Sequence, residues 1–170
     1  PSGRIRLNVA VEAANLLLAP VLPVFMERYP DIEIDIVANN RMVDMTDAGF
    51  DAGIRYGGTV PEDMIAQRLS ADVRWVVAGS PEYLDRFGTP EHPNDLLQHR
   101  CISNRLGDDR VYRWEFEHDG EELQVTVPTS ITVDQAETGL VAVLRGGGLM
   151  YFPEPLVAPY VSDGRLRLVL

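Results

Sequence analysis

The side chains from which an enzyme or a metal centre could be built are His92, His99 and His118, the lone Cys101, and 26 aspartates and glutamates. No two of the histidines, and none with Cys101, stand at the spacing of a zinc site. A G-x-S-x-G elbow, a P-loop and a G-x-G-x-x-G turn are all missing, and the carboxylates form no recognisable acid–base pair. Cys101 lies in an apolar segment, which suits packing better than nucleophilic attack. Gly146-Gly147-Gly148 follows a helical pattern instead of opening one, the wrong side for cradling phosphate. The sequence therefore predicts no catalytic residue, no metal ligand and no cofactor.

What remains is the chemistry of recognition. Phe50-Asp51-Ala52-Gly53-Ile54 is a short run, long enough for a buried parallel strand and too short for a core helix. It stops at Arg55, Tyr56 and the pair Gly57-Gly58. In an open α/β sheet, ligands sit at the carboxyl ends of strands, where the loops converge. Glycine there lets backbone N–H groups come close to a guest. Taken alone the glycine pair is only a turn; its meaning comes from the segments around it.

Those segments alternate. Ile5 to Val11 reads as a first buried strand, and Glu12-Ala13-Ala14-Asn15 as a loop. Leu16 to Tyr29 is a helix with Leu18, Leu22, Phe25 and Met26 on one side, which Pro20 and Pro23 should delay or kink. Asp31 to Val37 is a strand with Ile32, Ile34 and Ile36 on one face and three acids on the other. That alternation suggests an edge strand, its acids in water or facing a partner chain. A short helix through Met45 leads to the Phe50 strand. Strand, helix, strand, helix, strand implies a parallel sheet whose loops gather at one rim.

After Met64 the rhythm changes. Ile65 to Leu69 and Val73 to Ala78 read as extended runs crossing into a second lobe. Ser80-Pro81-Glu82 is a strong helix start, and Gly88 suits its end. Asn94-Asp95 opens a helical turn, and Cys101-Ile102-Ser103 is a strand. Arg113 to Val127 forms a hairpin turning at Asp119-Gly120. Asp134-Gln135-Ala136-Glu137 has capping-box spacing; the helix that follows carries Leu140, Val141 and Leu144 inward. Leu149 to Phe152 is a buried strand, Pro153 starts a helix, and Arg165 to Leu170 is a last strand.

The 170 residues suit one domain or two small lobes, and 45% hydrophobic residues can supply a core. A net charge of −11 argues against this chain holding DNA or an anionic membrane by itself. No apolar stretch approaches a membrane span, since Pro20 and Pro23 interrupt the longest. A single cysteine fits a reducing compartment, hence the cytoplasm.

In order along the chain come Gly3-Arg4-Ile5-Arg6-Leu7, Leu18-Ala19-Pro20-Val21-Leu22-Pro23-Val24-Phe25 and Glu27-Arg28-Tyr29-Pro30-Asp31-Ile32. Phe50-Asp51-Ala52-Gly53-Ile54-Arg55, Ser80-Pro81-Glu82-Tyr83-Leu84 and Gly146-Gly147-Gly148-Leu149-Met150-Tyr151-Phe152-Pro153 follow. Together these resemble the effector-binding domain of LysR-type transcriptional regulators. The resemblance implies an α/β fold of two Rossmann-like lobes, of the type II periplasmic-binding-protein kind, joined by two crossing strands. Lobe I would span 1–70 and lobe II 71–163, with 164–170 a strand returning towards lobe I. It further implies a domain that senses a small-molecule effector and oligomerises, as a homodimer here and a tetramer in the full-length protein. In that dimer the first helix and the acidic second strand would face the other subunit's second lobe. DNA would be met only through a winged helix-turn-helix amino-terminal to this chain, and a family strand and helix would follow its carboxyl end. A periplasmic solute-binding protein shares the fold and is the alternative; a prephenate dehydratase ranks third, without its motif.

By matching position, the resemblance implies ligand contacts at Glu12 and Ala13, at Asn39, Asn40 and Arg41, and at Arg55, Tyr56 and Gly57. From the second lobe it implies Asn104, Asp134, Gln135, Phe152 and Pro153. Asp134 could instead cap its own helix, and Arg55 could instead pair with a cleft acid. Glu12 departs from the family's usual serine or threonine. A carboxylate there repels a carboxylate ligand unless Arg55 or Arg41 neutralises it, so the expected effector is neutral, polyhydroxylated or amine-bearing.

Overall fold

The computed structural model describes residues 1–41, 48–56 and 65–170. The chain divides into two units, Pro1–Ala71 and Asp72–Leu170. In the first, alternating apolar side chains make β1 (Gly3–Val9). Its end passes directly into helix α1 (Val11–Ala13), which widens over Ala14–Leu18, where the Ala19 N–H reaches back to Ala14 O at 2.9 Å. The expected loop at Glu12–Asn15 is thus helical. Pro20 lacks the N–H that would continue the ladder, so the helix breaks, and α2 (Leu22–Arg28) starts afresh with Pro23 in its first turn. The prolines divide one expected helix into two. Leu22, Phe25 and Tyr29 turn towards the unit's interior, whereas Met26, expected beside them, is exposed.

Strands β2 (Ile32–Ala38) and β3 (Ala52–Ile54) both run parallel to β1, in the order β2-β1-β3. Among the described residues β2 is an edge strand. Its acids meet the neighbouring strand, not only water: Arg4 faces Glu33 and Arg6 faces Asp35 in the register. Asp35 accepts from Arg4 Nη2 at 2.8 Å and from Arg6 Nε at 3.0 Å. The Arg6 guanidinium, its hydrogen bond foremost, holds the Asp35 carboxyl below the usual carboxylate range. The expected helix through Met45 falls outside the described residues.

The second unit begins irregularly and then forms β4 (Trp75–Gly79). Ser80 caps α3 (Pro81–Phe87) by accepting from Tyr83 N at 3.3 Å, and Gly88 ends it at φ +91°. A 3₁₀ segment, Pro93–Gln98, precedes β5 (Cys101–Asn104). The hairpin is β6 (Trp114–His118) and β7 (Glu121–Val125), turning at Asp119 and Gly120 with φ +52° and +80°, the left-handed pair a two-residue hairpin turn demands. Next come β8 (Thr129–Val133), α4 (Ala136–Leu144), β9 (Leu149–Pro153), α5 (Glu154–Ser162) and β10 (Arg167–Val169).

The five-stranded sheet has the order β10-β4-β9-β5-β8. β9, β5 and β8 are parallel, while β4 runs antiparallel to both β9 and β10. The final strand, expected to return towards the first lobe, therefore pairs inside the second unit's sheet. Alternation along β4 and β9 divides the core into two layers. Val76, Ala78, Met150 and Phe152 pack against α4 and α5, whereas Val77, Leu149 and Tyr151 pack with α3 and the hairpin's Trp114.

Candidate ligand-binding rims

Parallel strands end on the same side, so each unit gathers its strand ends into a rim. In the first unit Val9 stands level with Ala38 and Ile54. Three backbone and side-chain bonds lock the loops beyond. Asn39 N donates to Val9 O at 2.9 Å, Ala10 N to Ile54 O at 3.0 Å, and Val11 N to Asn40 Oδ1 at 3.0 Å. Asn39 Oδ1 in turn accepts from Arg41 N at 2.8 Å. The structure thus brings Glu12, Ala13, Asn39, Asn40, Arg41, Arg55 and Tyr56 to one edge of one sheet. Gly57 lies outside the described residues.

Glu12 is only 7% exposed and occupies the first turn of α1, where a carboxylate meets the positive end of the helix. Arg55 is half-buried, and among the described residues its partners are neutral oxygens. Nη1 donates to Ile54 O at 3.0 Å and Asn8 O at 3.4 Å; Nη2 donates to the Asn8 side-chain oxygen and to Arg41 O at 3.4 Å. Burial lowers the Arg55 pKa. Asn8, 1% exposed, was not among the expected site residues. The signal was a polar amide inside an otherwise apolar strand, which folding tolerates only with a partner.

The second unit's rim holds Asn104, Asp134, Gln135 and Pro153. Asn104 stands opposite Val133, the last residue of β8, and its Nδ2 donates to Tyr151 O at 3.0 Å. Asp134 and Gln135 are exposed at the start of α4. The cap position there belongs to Gln135, whose own side chain makes no cap hydrogen bond; the helix begins one residue later than the spacing of the expected Asp134 box requires. Phe152 is completely buried among Val76, Ile102 and Val157. Alternation along β9 turns its side chain to the core, while Pro153 closes the strand and precedes α5.

Beside Asn104 lies an aromatic stack that sequence reading did not single out. Tyr151 has Trp75 at 5.3 Å and Trp114 at 5.8 Å between ring centroids. Its hydroxyl donates to Glu115 O at 2.7 Å, and Tyr112 donates to Glu115 Oε2 at 2.7 Å. Burial raises the Tyr151 and Tyr112 pKa values, so both remain neutral donors. These bonds fasten the hairpin over the rim's supporting strand. Cys101 is fully buried, and burial pushes its thiol up to about 12, which agrees with a packing role.

The family model described as the LysR substrate binding domain matches residues 1–170. The chain is 36% identical over 170 residues to the HTH-type transcriptional regulator YcaN of Escherichia coli strain K12, covering 100% of this chain and 55% of that protein. It is 30% identical over 171 residues to PgrR, another HTH-type regulator of the same strain, covering 100% of this chain and 57% of that one. The chain thus spans just over half the length of these relatives. Among solved structures, CrgA of Neisseria meningitidis, a LysR-type transcriptional regulator, is similar with a TM-score of 0.85 and 26% identity. That match covers 100% of this chain and 57% of CrgA.

Proposed function

Because this chain belongs to the LysR substrate-binding domain family, we propose that it is the effector-sensing part of a bacterial transcriptional regulator. The family match along the whole chain carries this reading. A small molecule is taken up between the lobes, against Glu12, Ala13, Asn39, Asn40, Arg41 and Tyr56 from one rim and Asn104, Asp134, Gln135 and Pro153 from the other. Binding biases the arrangement of the chain and its partner copy. The report passes to a winged helix-turn-helix elsewhere in the full-length protein, which alone meets DNA, in the cytoplasm. The working unit is a dimer of this domain and a tetramer of the full-length regulator. The relatives are HTH-type regulators, so the solute-binding alternative is not favoured.

Two features support a neutral, polyhydroxylated or amine-bearing effector. Glu12 is buried at the rim, and all four Nη hydrogens of Arg55 are directed at neutral oxygens of the protein. The arrangement places the Glu12 carboxyl at the rim and engages the Arg55 Nη hydrogens with protein oxygens, so that they are not free to clasp a carboxylate with two parallel bonds. A thermal-shift screen of polyols, sugars, amines and dicarboxylates, followed by calorimetry, tests this. The expectation is stabilisation by the first three classes and none by dicarboxylates; tight binding of dicarboxylates alone would end the proposal on ligand class. Glu12→Ser should reverse the preference, restoring the hydroxyl common in the family.

A further inference from the structure

Arginine has five donors in a rigid plane, and Arg55 points four of them at oxygens from separate parts of the first unit. Asn8 supplies its carbonyl and its amide oxygen from within β1. Ile54 supplies the carbonyl that ends β3, and Arg41 the carbonyl of the turn after β2. None of these acceptors carries a charge. Among the described residues the guanidinium makes no ion pair, and what it gains for leaving water is bonds that tie its own strand, β3, to β1 and to the turn after β2.

We infer that Arg55 is the positioning residue of the first unit's rim, fixing the ends of β1, the turn after β2 and β3 in one arrangement without itself taking the ligand's charge. The inference deepens the reading of that rim as a ligand site, since Asn39, Asn40 and Arg41 are held where Arg55 puts them. Two neighbouring bonds report the arrangement: Asn39 N to Val9 O and Val11 N to Asn40 Oδ1. Lysine keeps the charge but gathers its three donors at one point, so it cannot span the same acceptors.

The test uses the unliganded 170-residue chain. Nitrogen-15 NMR should resolve separate, slowly exchanging Nη hydrogens for Arg55, against one averaged signal for the exposed Arg145. Arg55→Lys should raise amide exchange at Asn39 and Val11 about tenfold or more, while the amides of Val77 and Val143 in the second unit keep their rates. Arg55→Gln should do the same or more; should it fail to fold, the unaltered chain and Arg55→Lys still decide. Averaged Arg55 signals, or unchanged exchange at Asn39 and Val11 in Arg55→Lys, would overturn the inference. Failure of every metabolite to bind would count against the proposed function and leave these measurements standing.

Discussion

His99 shows how a single titratable group is tied into the second unit. The Arg100 N–H donates to Tyr83 Oη at 2.9 Å, so the Tyr83 hydrogen is directed at His99 Nδ1, 3.2 Å away. That bond needs Nδ1 unprotonated. Burial lowers the His99 pKa below the usual histidine value and outweighs the nearby Asp95 carboxylate, which acts to raise it. The unfolded chain thus binds the proton more readily than the folded one. The stability involved is present in full above the unfolded histidine value and is lost as pH falls from there to the lower folded value. A urea-denaturation series from pH 7.5 to pH 5 should show this loss, and His99→Asn, whose amide oxygen can accept in place of Nδ1, should flatten that part of the curve. An unchanged slope in the variant would remove His99 as the cause. Tyr83→Phe should cost about 1–3 kcal/mol at every pH, since it orphans the Arg100 N–H.

At the scale of elements, the turn from α4 to β9 is set by backbone that only glycine can supply. Gly148 has φ +146°, and a Cβ there would lie 2.3 Å from Arg100 O, the atom that accepts from Leu149 N at 2.9 Å where β9 joins β5. Neither partner is a side chain that can swing aside. Gly148→Ala should destabilise by about 3 kcal/mol or more, read as a shift in the urea midpoint. Gly146→Ala, at φ +76° with only Ser80 Oγ near at 3.9 Å, should cost about 1–2 kcal/mol. Equal effects would show that strain in φ, and not the contact with Arg100, decides. The sequence announced this turn through its three glycines, as it announced the hairpin through strict alternation around Asp119-Gly120 and α3 through Ser80-Pro81. It misled where a local signal competes with a neighbour. Asp134 has capping chemistry one residue too early, and Phe152 ends a strand whose alternation faces it into the core. Glu12–Asn15 carries no helical period of its own and becomes helical as the direct continuation of β1. The hold of Arg55 on Asn8 joins positions 47 residues apart, a distance that no local pattern reports.

The molecule as a whole distributes its core unevenly. Among the described residues, the buried apolar side chains belong to the second unit except for Val9 and Ala10. The second unit's sheet is covered on both faces, one by α4 and α5 and the other by α3 and the hairpin; the first unit's isoleucines on β2 are only half-buried. Since burial of apolar area is the main favourable term in folding, the second unit should resist denaturant longer. Both tryptophans, Trp75 and Trp114, lie in it and stack on Tyr151, so fluorescence reports that unit alone, whereas far-ultraviolet circular dichroism reports helices and strands of both. In a urea titration the circular-dichroism loss should begin at lower urea than the fluorescence change, and the two curves should not superimpose. Hydrogen exchange should agree, with amides of β4, β5 and β9 the slowest and those of β1 and β2 opening at lower free energy. Coincident curves with uniform protection would mean that the chain unfolds as one cooperative body.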